Sequence, residues 1–209
     1  MLSDPAAARA LIQPGDRVIA ADGGAAHCLA LGLVPDLVVG DFDSLSAADL
    51  ERLQALGARL EKYPARKDET DLELALRIAC AGGAQPVLVL GALGSRWDMS
   101  LANILLLAHP DFRSTRLTLV DGPVEISLAQ PGADCIISGA AGDTVSLIPL
   151  QGDAHGVVTD GLEYPLLDET LQYAATRGVS NVLLGTRARV GLKSGLLLCV
   201  VCHQDWRST

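Results

Sequence analysis

Asp41 and Asp43 straddle Phe42 at the end of an apolar run, in the segment Val39-Gly40-Asp41-Phe42-Asp43-Ser44. Side chains two apart on an extended chain point to the same side, so both carboxylates can aim at one place. Two like charges there repel and require a compensator. Oxygen ligands with room left for water suit magnesium, which usually sits between a few carboxylates and substrate phosphates. A helix cap needs only one such residue, and Ser44 or Ser46 already offers it. The pair points to phosphate chemistry on a nucleotide.

Three other segments fit the same chemistry, each beside a plainer explanation. Asp22-Gly23-Gly24-Ala25 lies between a predicted strand and a predicted helix. Glycines let backbone approach a phosphate or ribose closely, although a tight turn capped by Asp22 would look the same. In Lys67-Asp68-Glu69-Thr70-Asp71, a capping box of Thr70 with Glu73 accounts for Thr70, Asp71 and Glu73. It leaves Lys67 and Asp68, which a phosphate-facing lysine and a third metal carboxylate would explain. Gly91-Ala92-Leu93-Gly94-Ser95-Arg96-Trp97-Asp98 has the glycines, serine and arginine of an anion cradle. Its plainer reading is a loop with Asp98 as cap and Arg96 in solvent.

The predicted elements bring these segments to one edge. Strands at 17–21, 37–39, 87–90 and 117–120 alternate with helices at 25–31, 47–56, 71–80 and 98–108. That βαβα order predicts an α/β fold with an N-terminal parallel sheet covered by helices. All four segments then fall at C-terminal strand ends or at helix starts beside them, where open α/β sheets bind ligands. After Asp121-Gly122-Pro123 the grammar changes to short β-runs at 124–128, 135–138, 144–148, 157–159, 181–184, 187–192 and 195–201. These predict a C-terminal antiparallel β-sandwich, with residues 167–176 as the one weakly helical stretch. The expected domains are 1–121 and 122–209.

The bulk properties narrow the function. The chain has 209 residues, 49% hydrophobic and 3% aromatic, with 16 basic and 25 acidic side chains for a net charge of −9. An acidic chain without a basic patch disfavours nucleic acid and anionic membranes. No apolar run is long enough to span a membrane, and the N-terminus lacks the regions of a signal peptide, so a cytoplasmic protein is expected. Cysteines 28, 80, 135, 199 and 202 read as small hydrophobes. Cys199 and Cys202 lie three apart on a predicted strand and so face opposite sides. The four histidines lack metal spacing, and His27 and His203 read as surface or core-edge residues. The G-x-G-x-x-G, P-loop and G-x-S-x-G patterns are missing.

Taken together and in order, Ala21 to Ala25, Pro35-Asp36 leading to Gly40 through Ser44, Lys67 to Asp71, Gly91 to Asp98, Gly161 to Leu166, Val179-Ser180-Asn181 and Gly195 to Val200 resemble the thiamine pyrophosphokinase family. The resemblance implies transfer of the terminal pyrophosphate of ATP to thiamine, leaving AMP. It implies an α/β nucleotide domain, a β domain that holds thiamine, and a homodimer with active sites at the interface. Carried onto this chain, Asp41, Asp43, Asp68 and Asp71 hold Mg2+ and act with Arg96 in catalysis. Asp22, Gly23, Gly24, Ser44, Lys67, Gly91, Gly94, Ser95 and Asp98 contact ATP. Ser180 and Asn181, both able to hydrogen-bond an aminopyrimidine, contact thiamine. The chain departs from the family in three places. Met1 to Gln13 reads as a helix where a first strand is usual. Ser95 and Met99 replace a glycine and a histidine of the phosphate loop. Val182 replaces a frequent glutamate.

Two further readings stay open from the residues alone. One is a magnesium-dependent phospho- or pyrophosphotransferase acting on another small alcohol. The other is a non-catalytic nucleotide-binding module, which four carboxylates near a phosphate argue against.

Overall fold

Leu37–Gly40 is buried at every position, and it forms the central strand β2 of a three-stranded parallel sheet between β1 (Ile19–Ala21) and β3 (Arg59–Lys62). Helices cover both faces, which is why β2 is continuously apolar. One face packs on α2 (Gly24–Ala30) and α3 (Ala47–Ala55) through Ala25, Cys28 and Leu53, the other on Ala75 and Ile78 of α4 (Asp71–Ala81). Ser46 Oγ accepts the Asp49 N–H at 3.1 Å and Thr70 Oγ1 accepts the Glu73 N–H at 3.2 Å. These caps fix where α3 and α4 begin, each worth ~1 kcal/mol. The computed structural model describes residues 2–204. Within them α1 (Pro5–Leu11) fulfils the predicted N-terminal helix, of which Met1 lies outside the described residues.

The second sheet starts parallel and continues antiparallel. β4 (Val87–Leu90) pairs in parallel with β5 (Leu117–Asp121), and β5 pairs antiparallel with β6 (Val124–Ala129). From β6 the order runs through β12 (Ser194–Cys202), β8 (Thr144–Asp160) and β11 (Arg187–Gly191) to β7 (Cys135–Ser138). β9 (Leu167–Leu171) and β10 (Asn181–Val182) attach to β8. β6 and β7 stand far apart in this order, yet Ser127 Oγ of β6 lies 3.8 Å from Cys135 Sγ of β7. The sheet therefore curls back on itself, around a core that includes Val145, Leu147, Val157, Leu183, Val190 and Leu197. The whole is a mixed α/β fold.

All parallel pairs lie within residues 1–121, but the predicted N-terminal parallel sheet is divided: β1 to β3 form one sheet, while β4 and β5 belong to the second, where β5 also pairs antiparallel with β6. The boundary itself is not a gap between sheets. Gly122, at φ +54°, turns β5 straight into β6, and Ile126 and Leu198 share a core with Val89, Leu117 and Leu119. Pairing with β6 covers an edge of β5 that would otherwise stand open.

Three local expectations are corrected. Residues 167–171 form strand β9 rather than a helix, with Asp168 at φ +62°, which a helix excludes. The runs at 144–148 and 157–159 are one strand, β8. Gln151, Gly152 and Gly156 take positive φ within it, so the glycines mark bends rather than ends. β3 escaped prediction because Arg59-Leu60-Glu61-Lys62 is a charged edge strand with little apolar signal. Cys199 is buried and Cys202 exposed, on opposite faces as expected.

Candidate active site

Asp22 follows β1 and Asp41 follows β2, so both leave the C-terminal ends of neighbouring parallel strands. The Asp22 N–H donates to Val39 O at 2.8 Å, locking the two exits together. Gly40, at φ +149°, sits beneath them. A Cβ there would fall 2.9 Å from Asp22 Cβ and 3.2 Å from Asp71 Oδ1. Only glycine lets these two acidic side chains close over the strand end.

Asp41 and Asp43 converge, but not by extended geometry. Phe42 is left-handed at φ +67°, and the Asp43 N–H donates to Asp41 Oδ1 at 3.3 Å. A turn therefore gathers the acids where a straight strand was expected, and an aromatic residue at positive φ marks local strain. One carboxylate oxygen from each of Asp22, Asp41 and Asp43 lies within 4.8 Å of the others. Asp22 Oδ1 is buried without a hydrogen-bond partner. Among the described residues, no lysine or arginine pairs with any of the three. Three converging carboxylates, one with an orphaned buried oxygen, fit a hard divalent cation.

The other predicted acids fall outside this group of three. Asp71 reaches Gly40, and its Oδ1 forms an ion pair with Lys67 Nζ at 3.0 Å, although like Asp22 Oδ1 it is buried with no hydrogen-bond partner. Lys67 Nζ also donates to Pro64 O at 3.2 Å. Asp68 is exposed and lies outside the three-carboxylate group. Gly23 packs against Ser44, where a Cβ would lie 3.4 Å from the serine Cβ, so the loops after β1 and β2 touch. Open space surrounds Gly24.

The loop after β4 is held from below by α5 (Trp97–Leu106). Ser100 Oγ accepts the Gly94 N–H at 3.0 Å and donates to Gly94 O at 3.2 Å. Asn103 Nδ2 donates to Ala92 O at 2.7 Å, while its Oδ1 is buried and unpartnered. Gly91 borders α2, with His27 Cδ2 4.0 Å from where its Cβ would be. Burial lowers the His27 pKa and keeps that ring neutral. Ser95, Arg96 and Asp98 are exposed. Arg96 takes the N-cap position expected of Asp98, and its fork grips the Asp98 carboxylate at 3.2 and 2.5 Å. That hydrogen bonding draws the carboxyl below its ordinary range and raises the guanidinium.

Ser180 and Asn181 lie at the same end of the sheet as this loop, but far along it. One register row runs Leu90, Val120, Glu125, Val201, Val145, Asn181. Those five strand steps of ~4.8 Å span up to ~24 Å along the sheet. Ser180 is left-handed at φ +64°, and its N–H donates to Ser146 Oγ at 3.1 Å. Asn181 Oδ1 accepts the N–H groups of Tyr164 and Val182, and its Nδ2 donates to Tyr164 O at 2.8 Å. Most of its hydrogen-bonding capacity fastens the Tyr164 turn.

The arrangement matches a known family along most of its length. The family model described as thiamin pyrophosphokinase, catalytic domain, matches residues 8–119, more than half of the chain. The chain belongs to the thiamine pyrophosphokinase family. Residues 134–197 match that family's vitamin B1 binding domain. The thiamine pyrophosphokinase of Bacillus subtilis (strain 168) is 30% identical over 182 residues, covering 87% of this chain and 85% of the relative. Thiamine pyrophosphokinase 1 of Oryza sativa subsp. japonica is 27% identical, covering 78% of this chain and 64% of that longer protein. The crystal structure of the Bacillus subtilis enzyme superposes with a TM-score of 0.86 at 26% identity, over 97% of this chain and 94% of the other.

Within this family member, three residues of the site were not singled out from the sequence. Gly40 was legible only as part of the Gly-Asp-Phe-Asp segment. Ser100 and Asn103 lie on the predicted helix at 98–108, and polar residues spaced by three among apolar ones were the available signal.

Proposed function

We propose that the chain is a thiamine diphosphokinase, transferring the pyrophosphate of ATP to thiamine to give thiamine diphosphate and AMP. The observation that carries this reading is the convergence of Asp22, Asp41 and Asp43 at adjacent strand ends, with an unpartnered buried oxygen, in a chain of this family. These three would hold Mg2+, with Asp71 as an orienting carboxylate fixed by Lys67 and Asp68 as an outer one. The bound cation supplies charge neutralisation on phosphate oxygens. Gly23 and Gly24 would approach the nucleotide. The loop of Gly91, Gly94, Ser95 and Arg96 would embrace its phosphates, Arg96 exchanging Asp98 for phosphate oxygens. The thiamine hydroxyl oxygen would bond to the β-phosphorus as the bond from that phosphorus to the bridging oxygen of AMP breaks.

In this reading residues 1–121 form the nucleotide domain and residues 122–209 a β-sandwich that holds thiamine near Ser180 and Asn181. The separation along the sheet favours a homodimer, in which one chain's β domain closes the site of the other. A matching apolar face exists on α5, where Trp97, Leu101 and Leu105 recur every four residues and are 82%, 58% and 46% exposed. Five free cysteines suit a cytoplasmic enzyme. The test is to supply purified protein with ATP, magnesium and thiamine and identify the products. Thiamine diphosphate and AMP in equal amounts support the reading. ADP with thiamine monophosphate makes the reaction a simple phosphotransfer, and no turnover by folded protein refutes the enzyme.

A further inference from the structure

Cys135 and Cys199 meet across the seam where the curled sheet returns to itself. Cys199 is fully buried in β12, and its register partner on β6 is Ser127. Ser127 Oγ lies 3.8 Å from Cys135 Sγ, and Cys135 packs against the core cluster that contains Cys199. The two sulfurs differ in access. Cys135 is half-buried and lines an open groove of about 490 Å3 whose walls include Arg113, Arg116, Ser127, Gln130 and Ser138. Cys199 is behind it, in the core with Val145, Leu147 and Val201.

This asymmetry divides the chemistry between the thiols. The influence of Cys199, chiefly, with help from Ser127 and the Arg116 charge, outweighs burial and lowers the Cys135 pKa to about 7. Cys199, under the influence of Cys135 and of its dry site, is pushed well up and keeps its proton. The thiolate is the nucleophilic form of cysteine. The groove therefore exposes a nucleophilic sulfur backed by the core cluster that holds a second thiol. None of the other three cysteines has such a neighbour among the described interactions. The Cys28 thiol is pushed up by burial.

We propose that Cys135 and Cys199 are a redox-active dithiol, with Cys135 the peroxide-reactive sulfur and Cys199 the resolving one. A hydroperoxide entering the groove is attacked by the Cys135 thiolate at its outer oxygen. The O–O bond breaks, an alkoxide or hydroxide leaves, and Cys135 becomes a sulfenic acid. The Cys199 sulfur then bonds to the Cys135 sulfur as the S–O bond breaks, and the displaced hydroxide departs as water with the Cys199 proton. The two sulfurs together lose two electrons and the peroxide gains them, the usual route from sulfenic acid to disulfide. The product ties β7 to β12 across the seam. The inference does not depend on the proposed activity.

The full chain carrying Cys202→Ser, which removes the exposed thiol, is treated with hydrogen peroxide, alkylated and peptide-mapped. The expected product has lost two hydrogens, has Cys135 and Cys199 joined, and recovers both thiols with dithiothreitol. With Cys199→Ala added, oxidation stops at a Cys135 sulfenic acid that dimedone captures. With Cys135→Ser instead, Cys199 stays reduced. Oxidation of Cys135 to the sulfinic acid while Cys199 remains a free thiol would overturn the proposal, as would a Cys135 that peroxide leaves unmodified. The map of the Cys202→Ser chain decides this even if the core variants fail to fold.

Discussion

Gly40 and Asp22 are packed so closely that a Cβ on the glycine would lie 2.9 Å from the aspartate's own Cβ. The clearance at this one position lets the loops after β1 and β2 bring their acids together. Gly40→Ala places a side chain at φ +149° and forces Asp22 or Asp71 outward. The expected result is a loss of ~1–3 kcal/mol in stability with a marked fall in turnover. Denaturant titration and a rate assay check both. Gly185→Ala, at a position with open space and no positive φ, is the control and should change neither.

The cluster ranks the acids. Asp22→Asn, Asp41→Asn and Asp43→Asn should each reduce turnover by about 100-fold or more with the fold intact, since each removes charge from the convergence point. Asp68→Asn, exposed and outside that group, should cost less. Calorimetric magnesium binding should follow the same order. A larger loss at Asp68 than at Asp22 would move the cation toward α4.

Ser100 and Asn103 set the shape of the loop after β4. Asn103→Leu removes the bond to Ala92 O and should raise KM for ATP about 10-fold, the scale of one lost buried hydrogen bond to a binding loop. KM for thiamine should stay near that of the parent. Equal loss for both substrates would mean that the substitution damages the fold in general.

Asp143 predicts the acid limb of stability. Its carboxylate is buried and accepts from the N–H groups of Ala140 at 2.8 Å and Gln204 at 3.0 Å and from His203 Nδ1 at 2.7 Å. Burial opposes ionisation, yet these donors hold the carboxyl below its ordinary value of 3.8. Folding therefore favours the ionised form. The stabilisation is complete above the unfolded pKa and disappears as pH falls through the folded one. Asp143→Ala should lose ~3 kcal/mol at neutral pH. Unfolding curves of parent and variant should converge on acidification below about pH 4.

The apolar face of α5 predicts the assembly. Leu101→Asp should dissociate the proposed dimer and lower activity while a monomer remains folded, as read by sedimentation and circular dichroism. A dimer unaffected by this change places the interface elsewhere.

Much of this was legible because local rules and tertiary packing agree. The Ser46 and Thr70 caps, the buried apolar run of β2 and the loops at C-terminal strand ends follow from residue type and spacing. The misreadings occur where long-range structure overrides local signal. Gly152 and Gly156 look like strand ends but are bends within β8, because β12 and β9 hold the strand on either side. Residues 167–171 are drawn into the sheet by pairing with β8. Nothing in the linear order brings Asp22 to Asp41 and Asp43. Parallel pairing of β1 with β2 and the missing Cβ of Gly40 do that. The meeting of Cys135 with Cys199 likewise exists only once the sheet has curled.

The central claim concerns which phosphorus is transferred and at which cluster. ATP carrying a radioactive β-phosphorus, supplied with thiamine and magnesium, tests it directly. The account predicts that the label moves into thiamine diphosphate, with unlabelled AMP formed in equal amount, and that Asp43→Asn abolishes the transfer in a protein that remains folded. Label retained in ADP, or transfer undiminished in that variant, would contradict it.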